Sequence, residues 1–208
     1  MPPKTQISKE RILETGLQIL IREGYASVTI HRLARELNCS TQPISWTFGS
    51  MEGFRSELAL YTLRYFNGKI ERRMQGRTNP LAAFSCVGES YLQVAFEEPN
   101  IVRFVRANSA LFVSQGGLGS VFDYEKSKEL RQTLTELLGI CEEKAGEFMK
   151  TMVVFSQGLV AMVVDKTIDI SLDEGVNMLR ETGVRFLAYA GVDENKARQL
   201  LNLKQRRT

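Results

Sequence analysis

The sequence predicts an all-α fold, and three observations carry that expectation. Apolar residues recur at helical spacing through most of the chain, Gly, Asn, Ser, Thr and Pro punctuate the periodic segments, and no run alternates apolar and polar as a strand or hairpin would. The expected architecture is three N-terminal helices, the second and third short and tightly joined, running through a long fourth helix into a larger helical domain.

The first helix places Leu13, Leu17 and Leu20 at i, i+4 and i+7, and Gly24 stops it. Thr29 is suited to cap a short second helix, whose Ile30, Leu33, Ala34 and Leu37 share one face. Asn38 stands where that helix must end and accepts the left-handed conformation of a helix stop. Ser40 is the expected cap of a third helix, with Pro43 tolerated in its first turn, where no intrahelical bond is lost. At about 100° per residue, Ile44 and Phe48 of this helix fall on one face and Gln42, Ser45 and Trp46 on the other. Ser50 caps the fourth helix, which carries Phe54, Leu58, Tyr61 and Tyr65 and runs into "KIERRMQGRTNP", the candidate domain boundary. Residues 1–73 form the expected first domain and 74–208 the second. In the second, helices are expected from 80 to about 98, 100 to about 113, 122 to 138, 142 to 165, 172 to 190 and 193 to 203, with the glycine-rich "SQGGLGS" as a connector.

With 43% apolar and 25% charged residues, the chain has the balance of a soluble globular protein. The densest apolar stretch, "FMKTMVVFSQGLVAMVV" (148–164), is interrupted by Lys150, Ser156 and Gln157, so no membrane span is expected. "MPPKTQISKE" shows no export signal, which points to the cytoplasm. Cys39, Cys86 and Cys141 are odd in number and widely spaced, hence no disulfide framework, and the lone His31 offers them no zinc site. No cofactor is expected. Net charge is +3, of which residues 1–73 carry +4 (eleven Lys and Arg against seven Asp and Glu) and the remainder −1. A basic first third suggests an anionic partner.

Two short helices joined by a tight turn, the second polar on its outer face, form a helix-turn-helix, a motif whose second helix enters the DNA major groove. Gln42 can pair with an adenine edge, Thr41 and Ser45 can donate or accept, and Trp46 can pack on a thymine methyl or sugar. Thr29, together with Lys4 and Lys9 in the leading arm, suits phosphate. A plain helical hairpin with a polar surface has the same spacing.

The run "ILETGLQILIREGYASVTIHRLARELNCSTQPISWTFGSMEGFRSEL" resembles the DNA-binding domain of the TetR family of one-component regulators. The matching features are the first helix ending in "EGY", the Thr opening the second, "LARELNCS" across the turn, and F-G-S-x-E-G leading into the fourth. Further on, "YLQVAFEEPNIVRFVRA" and "FSQGLVAMVVDK" are similar to stretches of that family's effector domains. The resemblance implies a dimeric, ligand-responsive transcriptional regulator, a repressor released from a palindromic operator by a small lipophilic molecule. Ser45, Thr47 and Met51 depart from the pattern, because the family often carries aromatic, aromatic or His, and Lys residues there to grip phosphate. Phosphate contacts accordingly fall to Thr29, Ser40 and Thr47.

The second domain offers no His for a nucleophilic triad, and its carboxylates Glu89, Glu97, Glu98 and Asp165 are scattered, so no enzyme is expected. What it offers is apolar volume. Phe104, Phe112, Phe122, Phe148, Met149, Met152 and Phe155 are candidates to line a cavity, closed by Tyr91 or Gln157, although ordinary core accounts for each singly. The stretch 148–164, apolar on nearly all sides, and the amphipathic 172–190 suggest an interface with a second copy; the core of a monomer is the competing reading. The alternative function is a helical ligand-binding or protein-interaction module whose reading head has degenerated, and a weaker third is an all-α enzyme.

Overall fold

The computed structural model describes residues 7–110 and 121–203. Among these residues every regular element is helical: α1 Lys9–Glu23, α2 Ile30–Glu36, α3 Gln42–Phe48, α4 Met51–Met74, α5 Pro80–Glu97, α6 Pro99–Ala107, α7 Tyr124–Leu138, α8 Glu142–Val164, α9 Leu172–Ala190 and α10 Glu194–Leu200. The chain divides into two compact units, the first Met1–Gly68 with Glu98–Ser114, the second Lys69–Glu97 with Gln115–Thr208.

In the first unit, Ser8 caps α1 by accepting from the Arg11 N–H, and the helix buries Ile12, Leu13, Leu17, Ile19 and Leu20. Gly16 lies on the same face for a steric reason: a Cβ there would sit 2.7 Å from Cζ of Phe54, so its absence lets α4 set that ring into the core. The chain leaves α1 at Gly24 and passes through a 3-10 turn, Tyr25–Ser27. Thr29 then caps α2 by accepting from the Arg32 N–H, as its position suggested. Asn38 adopts a left-handed φ of 51° and ends that segment. Ser40 is not the cap of α3. The N-cap position is Thr41, in right-handed helical conformation and without a side-chain capping bond, and Pro43 stands in the first turn.

The first unit also recruits α6, which the division at residue 73 had assigned to the second domain. Ile101, Val102, Phe104 and Val105 form its buried face, and α6 packs against α1. Phe104 stacks on Tyr25 with centroids 4.8 Å apart, and Asn100 donates to the Ile21 carbonyl at 3.1 Å, satisfying a group at the end of α1. The helix stops at Ala107, short of the expected 113, because Asn108 turns back on it. The Asn108 backbone N–H and side-chain amide both donate to the Phe104 carbonyl, the latter at 2.7 Å.

In the second unit, α8 packs against α5, α7 and α9, while α10 packs on α9. Leu81, Leu134, Met149, Leu187 and Ala197 are fully buried there. Local caps fix the boundaries: Asp123 accepts from Lys126, Asp193 accepts from Lys196, and Ser171 and Glu174 form a reciprocal capping box. Ion pairs tie helices together, and two of them hold α9. Arg180 of α9 donates from two nitrogens to the two oxygens of Glu89 on α5, and Arg198 of α10, almost fully buried, donates from Nη2 to both oxygens of Glu181 on α9.

By length and composition α8 would suffice to cross a membrane, with a hydropathy of 1.4, which corrects the expectation that no stretch does. Lys150, Ser156 and Gln157 are too few to break so long an apolar helix. Its packing between three other helices gives the apolar surface another use. That packing is one-sided: Val154 and Met162 on α8, with Met178, Phe186 and Tyr189 on α9, remain exposed.

Candidate nucleic-acid interface and ligand cavity

Helix α3 has a single fully buried residue, Ile44, and a half-buried Phe48 whose ring meets Phe54 edge-on at 5.0 Å. Its other side is open. Gln42, Ser45, Trp46 and Thr47 are exposed, and Trp46 is 77% exposed, a rare condition for the largest side chain. The geometry of "FGSMEG" explains how the chain turns from α3 into α4. Gly49 takes a φ of 71°, Ser50 accepts from the Gly53 N–H, and a Cβ on Gly53 would fall 2.5 Å from the Phe48 carbonyl oxygen.

The residues assigned to phosphate differ in what their polar atoms are doing. Thr29 uses oxygen lone pairs for its cap, so its own O–H remains a donor, and Ser40 is exposed. Thr47 instead donates to the Pro43 carbonyl at 2.8 Å, inside its own helix. Lys9 is held by Glu57 at 2.7 Å and lies over the Phe48 ring. Thr41 is half-buried at the start of α3. Lys4 lies outside the described residues. The basic surplus is partly consumed within the unit: Arg32 bridges Glu23 and Glu36, and Arg22 also reaches Glu36. Arg35, not singled out from the sequence, is exposed on α2.

In the second unit a narrow cavity of about 30 Å³ opens between α5, α8 and α9. Phe148, Met152, Val153 and Leu179 are among its apolar lining, and Ser85, Ser156, Glu89 and Arg180 supply polar atoms. Glu89 accepts from Arg180 Nε at 2.7 Å and Nη2 at 2.9 Å; these bonds raise the guanidinium pKa above its ordinary value, against the effect of burial. A separate open depression of about 290 Å³ on the α8 and α9 surface is lined by Lys144, Lys150, Phe186 and Tyr189, among others.

No protein-family model matches this chain, and no curated protein does.

Of the residues expected around a cavity, Phe148 and Met152 line this one. Phe104 belongs to the first unit, where it stacks on Tyr25, and does not line this cavity. Phe122 is 54% exposed beside the cap of α7 and encloses nothing. Tyr91 and Met149 are buried elsewhere in the packing of α5 and α8, and Phe155 and Gln157 are half-buried on α8 outside the lining. Phe112 and the "QGGLGS" connector lie outside the described residues. The cavity's polar wall, Glu89 and Arg180, was not legible as a pair. The two residues stand 91 positions apart, and only the packing of α5 on α9 brings them together.

Proposed function

We propose that the protein is a ligand-responsive, DNA-binding transcriptional regulator, in which α2 and α3 act as a helix-turn-helix and the second unit senses a small molecule. The observation that carries this reading is the outer face of α3, where Gln42, Ser45 and Trp46 stand exposed on a seven-residue helix anchored by Ile44. A polar face with an exposed indole is costly to explain as plain surface, and it has the residue types that read base edges and sugar in the major groove. The resemblance of residues 12–58 to the TetR family's DNA-binding domain adds to it. On this reading the protein is a cytoplasmic repressor and not an enzyme. It works as a homodimer through the exposed stripe of Val154, Met162, Phe186 and Tyr189, and two-fold symmetry calls for a palindromic operator.

The test uses the single tryptophan. Titration with a duplex from upstream of its own gene is expected to change Trp46 fluorescence saturably, with an unrelated duplex giving only a weak, salt-erased response. Gln42→Ala is expected to cost about 1–3 kcal/mol at one base position and little on unrelated DNA. An equal loss on both would end its role in base reading. Sedimentation as a strict monomer at micromolar concentration would rule out the dimer.

A second reading has its own support. Thr47 donates within its helix, Lys9 is paired with Glu57, and Arg22 and Arg32 are tied to carboxylates, so the head shows few unengaged phosphate ligands. A helical ligand-binding or interaction module with a weakened head would give equal, salt-erased binding to both duplexes.

A further inference from the structure

We propose that the cavity between α5, α8 and α9 binds a slender, uncharged amphiphile, whose chain takes the place of the Met152 side chain and whose hydroxyl or carbonyl head docks on the Glu89–Arg180 pair. The proposal rests on the reading of the second unit as a sensor and supplies the ligand's chemical class.

Three features of the cavity lead there. First, its present volume of about 30 Å³ holds roughly one water molecule, so an occupant must displace something. Met152 is the part of the wall built to move. Methionine is unbranched, adaptable and tolerant of substitution, and here it is only half-buried. Its tip lies over Gly183: a Cβ there would be 3.8 Å from Met152 Cε and 3.9 Å from Sδ. With Met152 swung outward, the space beside Gly183 is walled by Phe148, Leu179 and Leu201, whose Cδ1 would lie 3.0 Å from a Cβ on Gly183, an apolar slot suited to an alkyl chain. Second, a Cβ on Gly88 would lie 3.6 Å from the Ser156 Cβ, so α5 and α8 run close together beside the cavity and leave room for a slender occupant only. Third, the pair itself is mutually satisfied. Both Glu89 oxygens accept from Arg180, at 2.7 and 2.9 Å, and the two charges cancel. A charged head would leave one member of a partly buried pair uncompensated. An uncharged hydroxyl can instead donate to a remaining carboxylate lone pair or accept a remaining guanidinium N–H without breaking it.

The experiment is calorimetric titration of the purified full-length protein with octan-1-ol and with octanoate. Saturable octanol binding is expected, with octanoate weaker by about tenfold or more because its carboxylate competes with Glu89. Glu89→Gln frees the Arg180 charge and is expected to invert that order. Met152→Ala widens the groove and is expected to tighten octanol by about threefold or more. No saturable octanol binding by either the parent protein or Met152→Ala overturns the proposal. So does an unchanged preference in Glu89→Gln. Should that variant fail to fold, Met152→Ala decides alone, an unchanged octanol affinity counting against the site. None of these readouts involves DNA. Octanol binding without duplex binding keeps this site and removes the regulator reading; duplex binding without octanol binding removes this site alone.

Discussion

Replacing Ile44 with alanine is expected to separate the two faces of α3, one that holds the helix and one that serves another molecule. Ile44 is 1% exposed and is the single fully buried residue of that helix. The substitution removes three carbons, worth about 2.4 kcal/mol of transfer free energy at about 0.8 kcal/mol per methylene. A rigid site would add a cavity cost and reach about 5 kcal/mol. Helix α3 is not rigidly framed: it has seven residues, a proline in the first turn and no side-chain cap. It can settle partly into the gap, which puts the expected loss at about 2–3 kcal/mol. Trp46→Ala removes a far larger side chain, but one that is 77% exposed, and is expected to stay within about 0.5 kcal/mol of the parent. Urea unfolding followed by far-ultraviolet circular dichroism measures both, the midpoint shift being read at constant slope. A labelled duplex then reports DNA binding, where Trp46→Ala is expected to lose affinity despite its normal stability. A loss below about 1 kcal/mol for Ile44→Ala would refute the anchoring role. Equal destabilisation by both substitutions would refute the division into two faces.

Gly53→Ala brings a Cβ within 2.5 Å of a backbone oxygen that no side-chain rotation can move, so its overpacking of about 1–3 kcal/mol should outweigh the roughly 1 kcal/mol gain in helix propensity, and calorimetry should show a lower Tm. At Asn38, where φ is 51°, alanine is expected to lose about 1 kcal/mol and glycine to match or exceed the parent; the reverse order in denaturant melts would contradict the left-handed turn. The Ser171 backbone N–H and hydroxyl hold the Glu174 carboxyl below the ordinary carboxylate range. Its contribution is therefore present above about pH 4.3, the unfolded value, and is lost as pH falls through the lower folded one. Glu174→Gln should lower stability at neutral pH and flatten this acid dependence, while an unchanged acid limb would deny the capping box its role.

Much of the fold was legible because its signals are local. Leu13, Leu17 and Leu20 announce α1 by spacing, and Thr29, Asn38 and Ser50 are polar or turn-forming residues whose backbone roles depend on immediate neighbours. The exposed side of α3 followed from periodicity for the same reason. The cap of α3 was misplaced because Ser40 and Thr41 are chemically equivalent candidates, and only the backbone conformation chooses between them. The end of α6 was missed because Asn108 is an ordinary helix residue until its amide folds back on Phe104. Which side chains face a cavity was the least legible feature. A Phe on a helical stripe reads identically whether it faces a cavity, a neighbouring tyrosine as Phe104 does, or solvent as Phe122 does. The partner that decides lies on a distant element.

The discontinuous first unit has a consequence for how the protein is made. Helix α6 supplies Phe104 to Tyr25 and Asn100 to the end of α1, yet residues 69–97 are synthesised before it. At roughly 5–20 residues per second, that intervening stretch takes about 1.5 to 6 seconds on the ribosome. During that interval the first unit is unfinished, with Tyr25 lacking its Phe104 stack and the Ile21 carbonyl lacking the Asn100 amide. A chain released at residue 73 stays in that condition indefinitely. Such a fragment is expected to be sticky and protease-sensitive, and splicing residues 98–110 onto it through a flexible tether is the way to make a stable isolated head.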